Sequence, residues 1–307
     1  MYVTCSNLGT VGWFGNQLFR YFTLLHLSSK HKQPIQTSEW LGEQIFNLSC
    51  KRPDKKLSYQ AVNEKSDKHA KDLYKPNHSK VLNSVDFKNN NYDVMTVSNA
   101  FYHTSHMREH KNMILKNLRF NDQINKNLIP AIQNFIDLKD DEKLVIVHAR
   151  VSAAGVLGGY SLKWPFPKDW YKSKLEEISN LPGKKKYFVC TDNKEVFLQM
   201  FPEFEFLFLD EQVKYDLKPI STAPRPALDG EVGGTGCFGF VPDFVIMTLA
   251  DHLLISDSTF SYAAAMLNRK KDAKFYKPSI KNSCLIEYDP WSSYILDFRT
   301  HTFEEPK

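Results

Sequence analysis

The sequence has few cysteines, and none of them is spaced as a zinc ligand or a redox pair. Five thiols are scattered over 307 residues without any CxxC pair, at Cys5, Cys50, Cys190, Cys237 and Cys284. Zinc modules and disulfide-stapled domains need cysteines at short, regular spacing, so neither class fits. An odd, scattered set is typical of a reducing compartment, and the chain opens without a leader-like apolar segment. We therefore expect a cytoplasmic protein.

Long apolar runs and blocks of like charge are absent as well. The most apolar stretch, Phe244–Ile255, is too short to cross a bilayer and is interrupted by Asp251. Lysine and arginine total 40 against 35 acidic residues, which gives a formal net charge of +5 without a run of five or six like charges. These absences argue against a transmembrane or nucleic-acid-binding protein. Anionic ligands and peripheral contact with an acidic membrane stay open.

The first part of the chain has strand and helix signals separated by polar segments. A short strand over residues 2–5 precedes a glycine-containing turn and a helix over 16–31, whose apolar residues recur every three to four positions. Residues 50–93 are rich in Lys, Asn and Ser, which indicates surface loops and small helices. Amphipathic patterns predict two further helices, over 107–120 and 123–136.

From about residue 140, apolar strands alternate with helices. Continuous apolar runs at Leu144–Val147 and Tyr187–Cys190 predict buried parallel strands, and His252–Ser256 predicts another. We expect a further strand over 206–209, and helices over 170–178, 195–200, 242–250 and from 260 onward. This alternation predicts an α/β fold with a parallel sheet and a domain boundary near residue 140.

The start of the first long helix is one candidate binding segment, formed by Phe14, Gly15 and Asn16. A glycine lets the backbone approach a ligand, and the N-terminus of a helix favours an anion. An ordinary glycine turn with an Asn cap is the alternative and, on physical grounds alone, the stronger one.

Three more candidate segments follow predicted strands. His148 and Arg150 follow one strand, where an arginine can hold a phosphate through two hydrogen bonds or simply face water. Asp192 follows the next strand and can bind ribose hydroxyls or cap a helix. The last segment begins a helix with hydroxyl side chains that can cradle an anion or only cap it; it starts at Ser256 and includes Asp257, Ser258, Thr259, Phe260 and Ser261. Ligands of open α/β sheets bind beyond the carboxyl ends of strands, so the convergence predicts a nucleotide site that binds phosphate.

These segments resemble the α-1,2-fucosyltransferase family and, more loosely, other GDP-fucose-dependent transferases such as protein O-fucosyltransferases. The family's Gly-x-x-Gly-Asn-Gln-Leu/Met-Phe-Gln-Tyr element is similar to Gly12–Tyr21. Its late Asp-Leu-x-Leu-Met and Ile-x-Asn-Ser-Ser/Thr-Phe-Ser-Trp-Trp-Ala signature is similar to Asp243–Met247 and Ile255–Ala264. Weaker likenesses lie between them, at Ala100–Ser105 and Phe188–Asn193.

One element departs from the family pattern. The family's His-x-Arg-Arg-Gly-Asp-Tyr stands here as His148–Ala154, which keeps the first arginine, expected at the donor's β-phosphate, but lacks the second arginine and the aspartate. No carboxylate occurs between Arg150 and Asp169. The identity of the donor and of the catalytic base therefore stays open.

The resemblance implies two Rossmann-like domains of the GT-B glycosyltransferase type, with residues 1–140 on the acceptor side and 141–307 binding the nucleotide sugar. It implies an inverting transferase that moves L-fucose from GDP-fucose to a glycan hydroxyl and needs no cofactor beyond this co-substrate. A UDP- or dTDP-sugar donor is one alternative. A catalytically inactive glycan-binding relative is another, favoured by the missing Arg–Asp pair.

The candidate catalytic residues are Arg150 and Asn16, which lie in motifs that resemble the family's, and Glu231, which is sought elsewhere because the family's acid is missing. Arg150 and helix N-termini near residues 258–261 would neutralise the leaving diphosphate, and no convincing DxD-type motif occurs, so we expect activity without a metal. Glu231 is the first candidate for the base, ahead of Asp229 and His103. It lies in a glycine-rich stretch suited to close over substrate, although an ordinary surface loop is an equal alternative.

Overall fold

A computed structural model describes residues 1–9, 14–54, 60–61, 91–93, 104–151, 167–209, 213–215 and 240–293. Within these residues the strands form two separate sheets. The first contains only strands that precede residue 94, and the second only strands from residue 142 onward. The proposed domain division at residue 140 lies between them and stays a prediction.

The first sheet is parallel throughout and has the strand order β2-β1-β4-β3. Its strands are β1 (Val3–Cys5), β2 (Ile35–Thr37), β3 (Gln60–Ala61) and β4 (Tyr92–Asp93). The long helix α1 (Phe14–His31) connects β1 to β2, and the short helix α2 (Gly42–Ile45) follows. The interpretation of residues 50–93 as surface loops is wrong for β4, which is buried beside β1. Two residues within a polar sequence carry no periodicity that could have indicated this strand.

Helical segments connect the two sheets. A 3₁₀ turn (Ser105–His110) leads into α3 (Lys111–Asn117), and a π-helical turn (Ile124–Leu128) leads into α4 (Ile129–Ile136). The two predicted helices are therefore present but change type along their length. Pro130 lies in the first turn of α4, directly after the π-helical turn.

The second sheet has the order β6-β5-β7-β8-β9 and is parallel except for the last pair. Its strands are β5 (Glu142–Ala149), β6 (Lys184–Thr191), β7 (His252–Leu254), β8 (Lys274–Ser279) and β9 (Cys284–Glu287). Its helices are α5 (Lys168–Ser179), α6 (Lys194–Met200), α7 (Phe240–Met247) and α8 (Thr259–Leu267). The alternation expected from the sequence is thus confirmed. The strand expected over 206–209 is reduced to one bridge between Leu207 and Phe188.

One large apolar cluster contains buried side chains from both sheets. Val3 of the first sheet, Leu253 of the second, Phe22 of α1, Phe244 of α7 and Tyr262 of α8 are all fully buried members. A smaller cluster under α5 and α6 covers the other face of the second sheet, as a parallel sheet requires. Helices α1 and α8 pack against each other within the large cluster and so join the two halves.

No helix in the described ranges is both long enough and apolar enough to span a membrane.

Candidate functional site

Three candidate segments meet at the carboxyl edge of the second sheet. Strands β6, β5 and β7 are neighbours, and the register pairs Ala149 with Thr191 and Val147 with Leu254. Arg150, Asp192 and Ser256 follow the ends of these strands directly or within two residues. The convergence that the sequence predicted is therefore present in the fold.

Arg150 has a backbone anchored by the preceding strand and a guanidinium group that is accessible to solvent. It directly follows a strand whose last six residues are buried, but is itself exposed. Arg150 has no ion pair within the part of the chain that the structure describes. A guanidinium group that is carried by an anchored backbone and is open to solvent suits an anionic ligand.

Asp192 holds the end of β5 rather than capping a helix. Its Oδ1 accepts a hydrogen bond of 2.8 Å from the backbone N–H of Val151, the residue after Arg150. The cap of α6 is the neighbouring Asn193, whose side chain accepts from the N–H of Val196 at 3.1 Å. Asp192 thus braces the backbone next to Arg150, a role that sequence reasoning did not anticipate.

His148 is buried and neutral. Burial, followed by the nearby Arg150 charge, lowers the pKa of His148 to about 3. Its Nδ1 lies 2.7 Å from the hydroxyl of Ser256, so the pair connects β5 to the segment after β7. A base with so low a pKa captures protons poorly near neutral pH, so His148 is poorly suited to act as a general base. Ser256 is the first residue of the segment that the sequence marked as a possible anion cradle, but its contact with His148 could not be read from the sequence.

The start of α8 uses its own hydroxyl groups to order the backbone. Ser258 is the N-cap and accepts from the N–H of Phe260 at 3.3 Å, while the Ser261 hydroxyl donates to the Ser258 carbonyl at 3.4 Å. Ser258 is therefore a helix cap, which was the alternative interpretation of this segment. A ligand at the N-terminus of α8 would be bound mainly by backbone N–H groups. Asp257 is half-buried beside the cap. Burial raises the pKa of Tyr171, and the nearby charge of Asp257 raises it further.

Tyr171 supports the same edge from behind the sheet. This fully buried residue of α5 donates a hydrogen bond of 2.6 Å from its hydroxyl to the Ile255 carbonyl, just beyond the end of β7. Its position on an amphipathic helix gave no sign of this bond, because the pattern indicates only a core residue.

The N-termini of α1 and α8 are in direct contact. Asn16 Oδ1 accepts a hydrogen bond of 2.8 Å from the Thr259 hydroxyl, although the two residues are 243 positions apart. A Cβ at Gly15 would lie 2.5 Å from the backbone N of Phe260, so only glycine fits here. Asn16 is not the cap of α1, because the helix begins at Phe14. The positive ends of two helix dipoles therefore converge near the edge that carries Arg150.

Aromatic rings pack together next to the contact between α1 and α8. The Phe14 ring is buried, with its centroid 5.0 Å from that of Phe240 and 5.1 Å from that of Phe244, and Phe260 packs on both. Phe14 was expected to bind the donor. Its ring instead lies in the core, which leaves only its backbone for that role.

A carboxyl group with a raised pKa, that of Asp243, lies beside Cys190 near the end of β6. Burial raises the pKa of Asp243, a residue of α7, to about 7, and a hydrogen bond with Cys190 partly offsets this rise. Sequence reasoning gave Asp243 no role, because the perturbation depends on tertiary packing. The candidate bases Glu231, Asp229 and His103 all lie outside the described residues.

Two parallel-dominated α/β sheets joined through facing helices are the arrangement of the GT-B fold. No protein-family model and no curated protein sequence matches the chain. Three solved structures show the likeness of the fold.

Fucosyltransferase NodZ from Bradyrhizobium is 14% identical, with a TM-score of 0.58 over 94% of this chain and 98% of that one. The α-1,6-fucosyltransferase NodZ soaked with GDP-fucose is 13% identical, with a TM-score of 0.59 over the same 94% and 98%. A mutant of Arabidopsis thaliana FUT1 in complex with GDP is 12% identical, with a TM-score of 0.55 over 92% of this chain and 73% of that one. The expected twin Rossmann-like fold of the GT-B type is thus confirmed.

Proposed function

We propose that the chain is an inverting glycosyltransferase that moves L-fucose from GDP-fucose to a hydroxyl of a glycan. The observation that carries this proposal is the contact of two helix N-termini, at Gly15–Asn16 and Thr259–Phe260, beside the exposed Arg150. The fold supports it, since solved structures of the same fold were obtained with GDP-fucose and with GDP.

The arrangement suits a displacement in which a diphosphate leaves. Negative charge grows on the leaving group while the sugar becomes oxocarbenium-like. Fixed donors aimed at that charge lower the barrier without reorganising. Arg150 and the backbone N–H groups at the start of α8 supply such donors. Because Asn16 Oδ1 accepts from Thr259, its amide N–H groups are directed elsewhere and can donate to a substrate. No cofactor beyond the nucleotide sugar, and no metal, is required by this account.

We propose an α-1,2 linkage, based on the two specific motifs that resemble that family, Gly12–Tyr21 and Ile255–Ala264. The solved structure soaked with GDP-fucose is described as an α-1,6 enzyme, so the two linkages need a direct comparison. Digestion of the product with an α-1,2-specific and an α-1,6-specific fucosidase distinguishes them, and release only by the second would contradict the proposed linkage.

A different sugar nucleotide, such as a UDP- or dTDP-sugar, is the second candidate, with an inactive glycan-binding relative as the third. Val151 stands where the related family has its second arginine, and it is buried, with its N–H bonded to Asp192. The apolar Val151 side chain therefore cannot supply the second positive charge. A thermal-shift screen against GDP-fucose, UDP-sugars and dTDP-sugars decides between donors, and the absence of turnover with every bound donor indicates the inactive relative.

The base is proposed to be Glu231, with Asp229 and His103 as alternatives. The comparison is the transfer rate of each alanine variant at saturating donor, where loss of a general base costs about 10²–10⁴-fold. If all three variants stay within about threefold of the parent, well short of that range, displacement assisted by the substrate itself around Arg150 and Asn16 becomes the better account.

Arg150→Ala tests the proposed function most directly. We expect the transfer rate to fall by about 10²–10³-fold, while the melting temperature stays near that of the parent. Lys143→Ala is the matched control, because it removes a positive charge near the opposite end of the same strand, where Lys143 is half-exposed and 3.8 Å from Asp251. Near-normal turnover in Arg150→Ala, or an equal loss in Lys143→Ala, would contradict the assignment.

The described thiols, Cys5, Cys50, Cys190 and Cys284, are all free. We propose that the protein works in the cytoplasm, because five scattered cysteines without a CxxC pair are typical of a reducing compartment.

A further inference from the structure

A cluster of two histidines and one glutamate lies away from the proposed transfer site. His26 belongs to α1, and Glu109 and His110 end the 3₁₀ turn over Ser105–His110. Each side chain offers one ligand atom, and these atoms lie within 4.8 Å of one another. His26 comes ten residues after Asn16 on α1, which separates the two along the helix by about 15 Å. From this cluster we infer a binding site for a divalent transition-metal ion of the zinc class.

The distances in the cluster fit a tetrahedral ion. With metal–nitrogen and metal–oxygen bonds near 2.1 Å, two ligand atoms of a tetrahedral site stand about 3.4 Å apart. His110 Nε2 lies 3.2 Å from Glu109 Oε1, which is close to that value. The Glu109 side chain is 69% exposed, so it can rotate to complete the site without disturbing the core.

Ser29 provides the outer hydrogen bond that a metal-binding histidine usually makes. Its hydroxyl lies 3.2 Å from Nδ1 of His110, and it is one helical turn beyond His26 on the same helix. A proton on Nδ1 directed at this hydroxyl leaves the lone pair of Nε2 on the side of Glu109. Such a partner fixes both the tautomer and the ring orientation of a ligand.

The donor set selects the kind of ion. Two imidazoles and one carboxylate suit zinc and its transition-metal neighbours, whereas magnesium and calcium prefer oxygen ligands alone. Three protein ligands leave one coordination position to water. The His26 and His110 rings are already in edge contact, with centroids 4.9 Å apart, so little ordering is left for the ion to impose.

The site would fasten the 3₁₀ turn to α1. The residue before this turn, Thr104, is already tied to the second half: its N–H donates to the Ser293 carbonyl at 3.1 Å, and its hydroxyl lies 3.4 Å from that of Tyr262. Metal binding at Glu109 and His110 would fix the other end of the same turn. The expected effect is therefore on stability rather than on the transfer step.

The experiment is a zinc titration of the full chain after dialysis against a chelator, with a chromophoric chelator as competitor. We expect one zinc ion per chain and a rise in melting temperature of at least about 3 °C at a hundredfold excess over Kd. Magnesium at the same concentration is expected to give no shift. The absence of zinc binding would overturn the inference.

Variants assign the binding to this cluster. Glu109 is exposed and His110 is only partly buried, so His110→Ala and Glu109→Gln should fold. Each of these two variants should weaken zinc binding at least about tenfold. Ser29→Ala removes the outer hydrogen bond and should weaken zinc binding about tenfold. Glu287→Gln is the matched control, since Glu287 is an exposed carboxylate on strand β9 and is not one of the three clustered residues. Cys284→Ser controls for the exposed thiol. Unchanged binding in His110→Ala, or its loss in Cys284→Ser instead, would overturn the inference.

Discussion

Gly15→Ala tests whether the contact between α1 and α8 sets the geometry of the transfer site. A methyl group at this position would stand 2.5 Å from Phe260 N and 2.7 Å from its Cα and from the Thr259 carbonyl carbon. An ordinary contact begins near 3.4 Å, so the two backbones must separate by about 0.9 Å. These neighbours are backbone atoms and cannot rotate away.

Two opposing effects set the change in stability. Alanine is the better helix former by about 1 kcal/mol, whereas overpacking a filled interface costs about 1–3 kcal/mol. The net loss is then at most about 2 kcal/mol. Activity should suffer far more, because a misplacement of about 1 Å in a catalytic arrangement can cost about 10²-fold in rate. Initial transfer rates and melting temperatures measure the two effects separately.

Gly183→Ala provides a control of similar instability. Gly183 has a φ of +84° and directly precedes β6 at the edge opposite the site, where a Cβ would lie 3.2 Å from the Asp141 carbonyl oxygen. The strain of a left-handed alanine costs about 1–2 kcal/mol without altering α1 or α8. The reasoning is refuted if Gly15→Ala transfers within about threefold of the parent, or if Gly183→Ala loses as much activity.

Three further predictions concern the site and its surroundings. Asp192→Ala should weaken GDP binding in calorimetry more than it lowers the rate at saturating donor, since the end of β5 loses its brace; unchanged affinity would contradict this. Transfer should persist in excess EDTA at room temperature even if the melting temperature falls; a tenfold or larger loss restored by Mn²⁺ would reveal a metal at the donor. The free energy of unfolding should fall as the pH drops below about 6.5. In this range His148 binds a proton in the unfolded chain, whereas in the folded protein it is buried, has a pKa of about 3 and stays neutral. Urea titrations at several pH values should show His148→Gln lessening that slope by up to about 1.4 kcal/mol per pH unit.

The sheet that carries the candidate site was predictable because its signals are local. Leu144–Val147 and Tyr187–Cys190 are apolar runs long enough to be read as strands, and the structure only extends them at both ends. The hydroxyl residues before α8 likewise mark its start, and the structure places the cap at Ser258. Strands β3 and β4 have two residues each, too few for any pattern, and so the first sheet could not be drawn from the sequence.

The arrangement within the site depends on pairs that are distant in sequence. The hydrogen bond between Asn16 and Thr259 and the contact between Gly15 and Phe260 join opposite ends of the chain. Local reasoning favoured an Asn cap because it could consider only the neighbouring turn. The helix-cap alternative for Asp192 failed for a similar reason, since its partner Val151 becomes its neighbour only when β5 and β6 pair.

The larger apolar cluster, which contains residues of both sheets, has a consequence for how the protein melts. Two Rossmann-like units with separate cores can unfold independently, and calorimetry then resolves two transitions. Here Phe22 of α1, Phe244 of α7 and Tyr262 of α8 are fully buried in one cluster with residues of both sheets. Separating the halves would expose these rings to water on both new surfaces. Neither half is therefore expected to be stable when expressed alone, and heat should unfold the two sheets in a single cooperative transition.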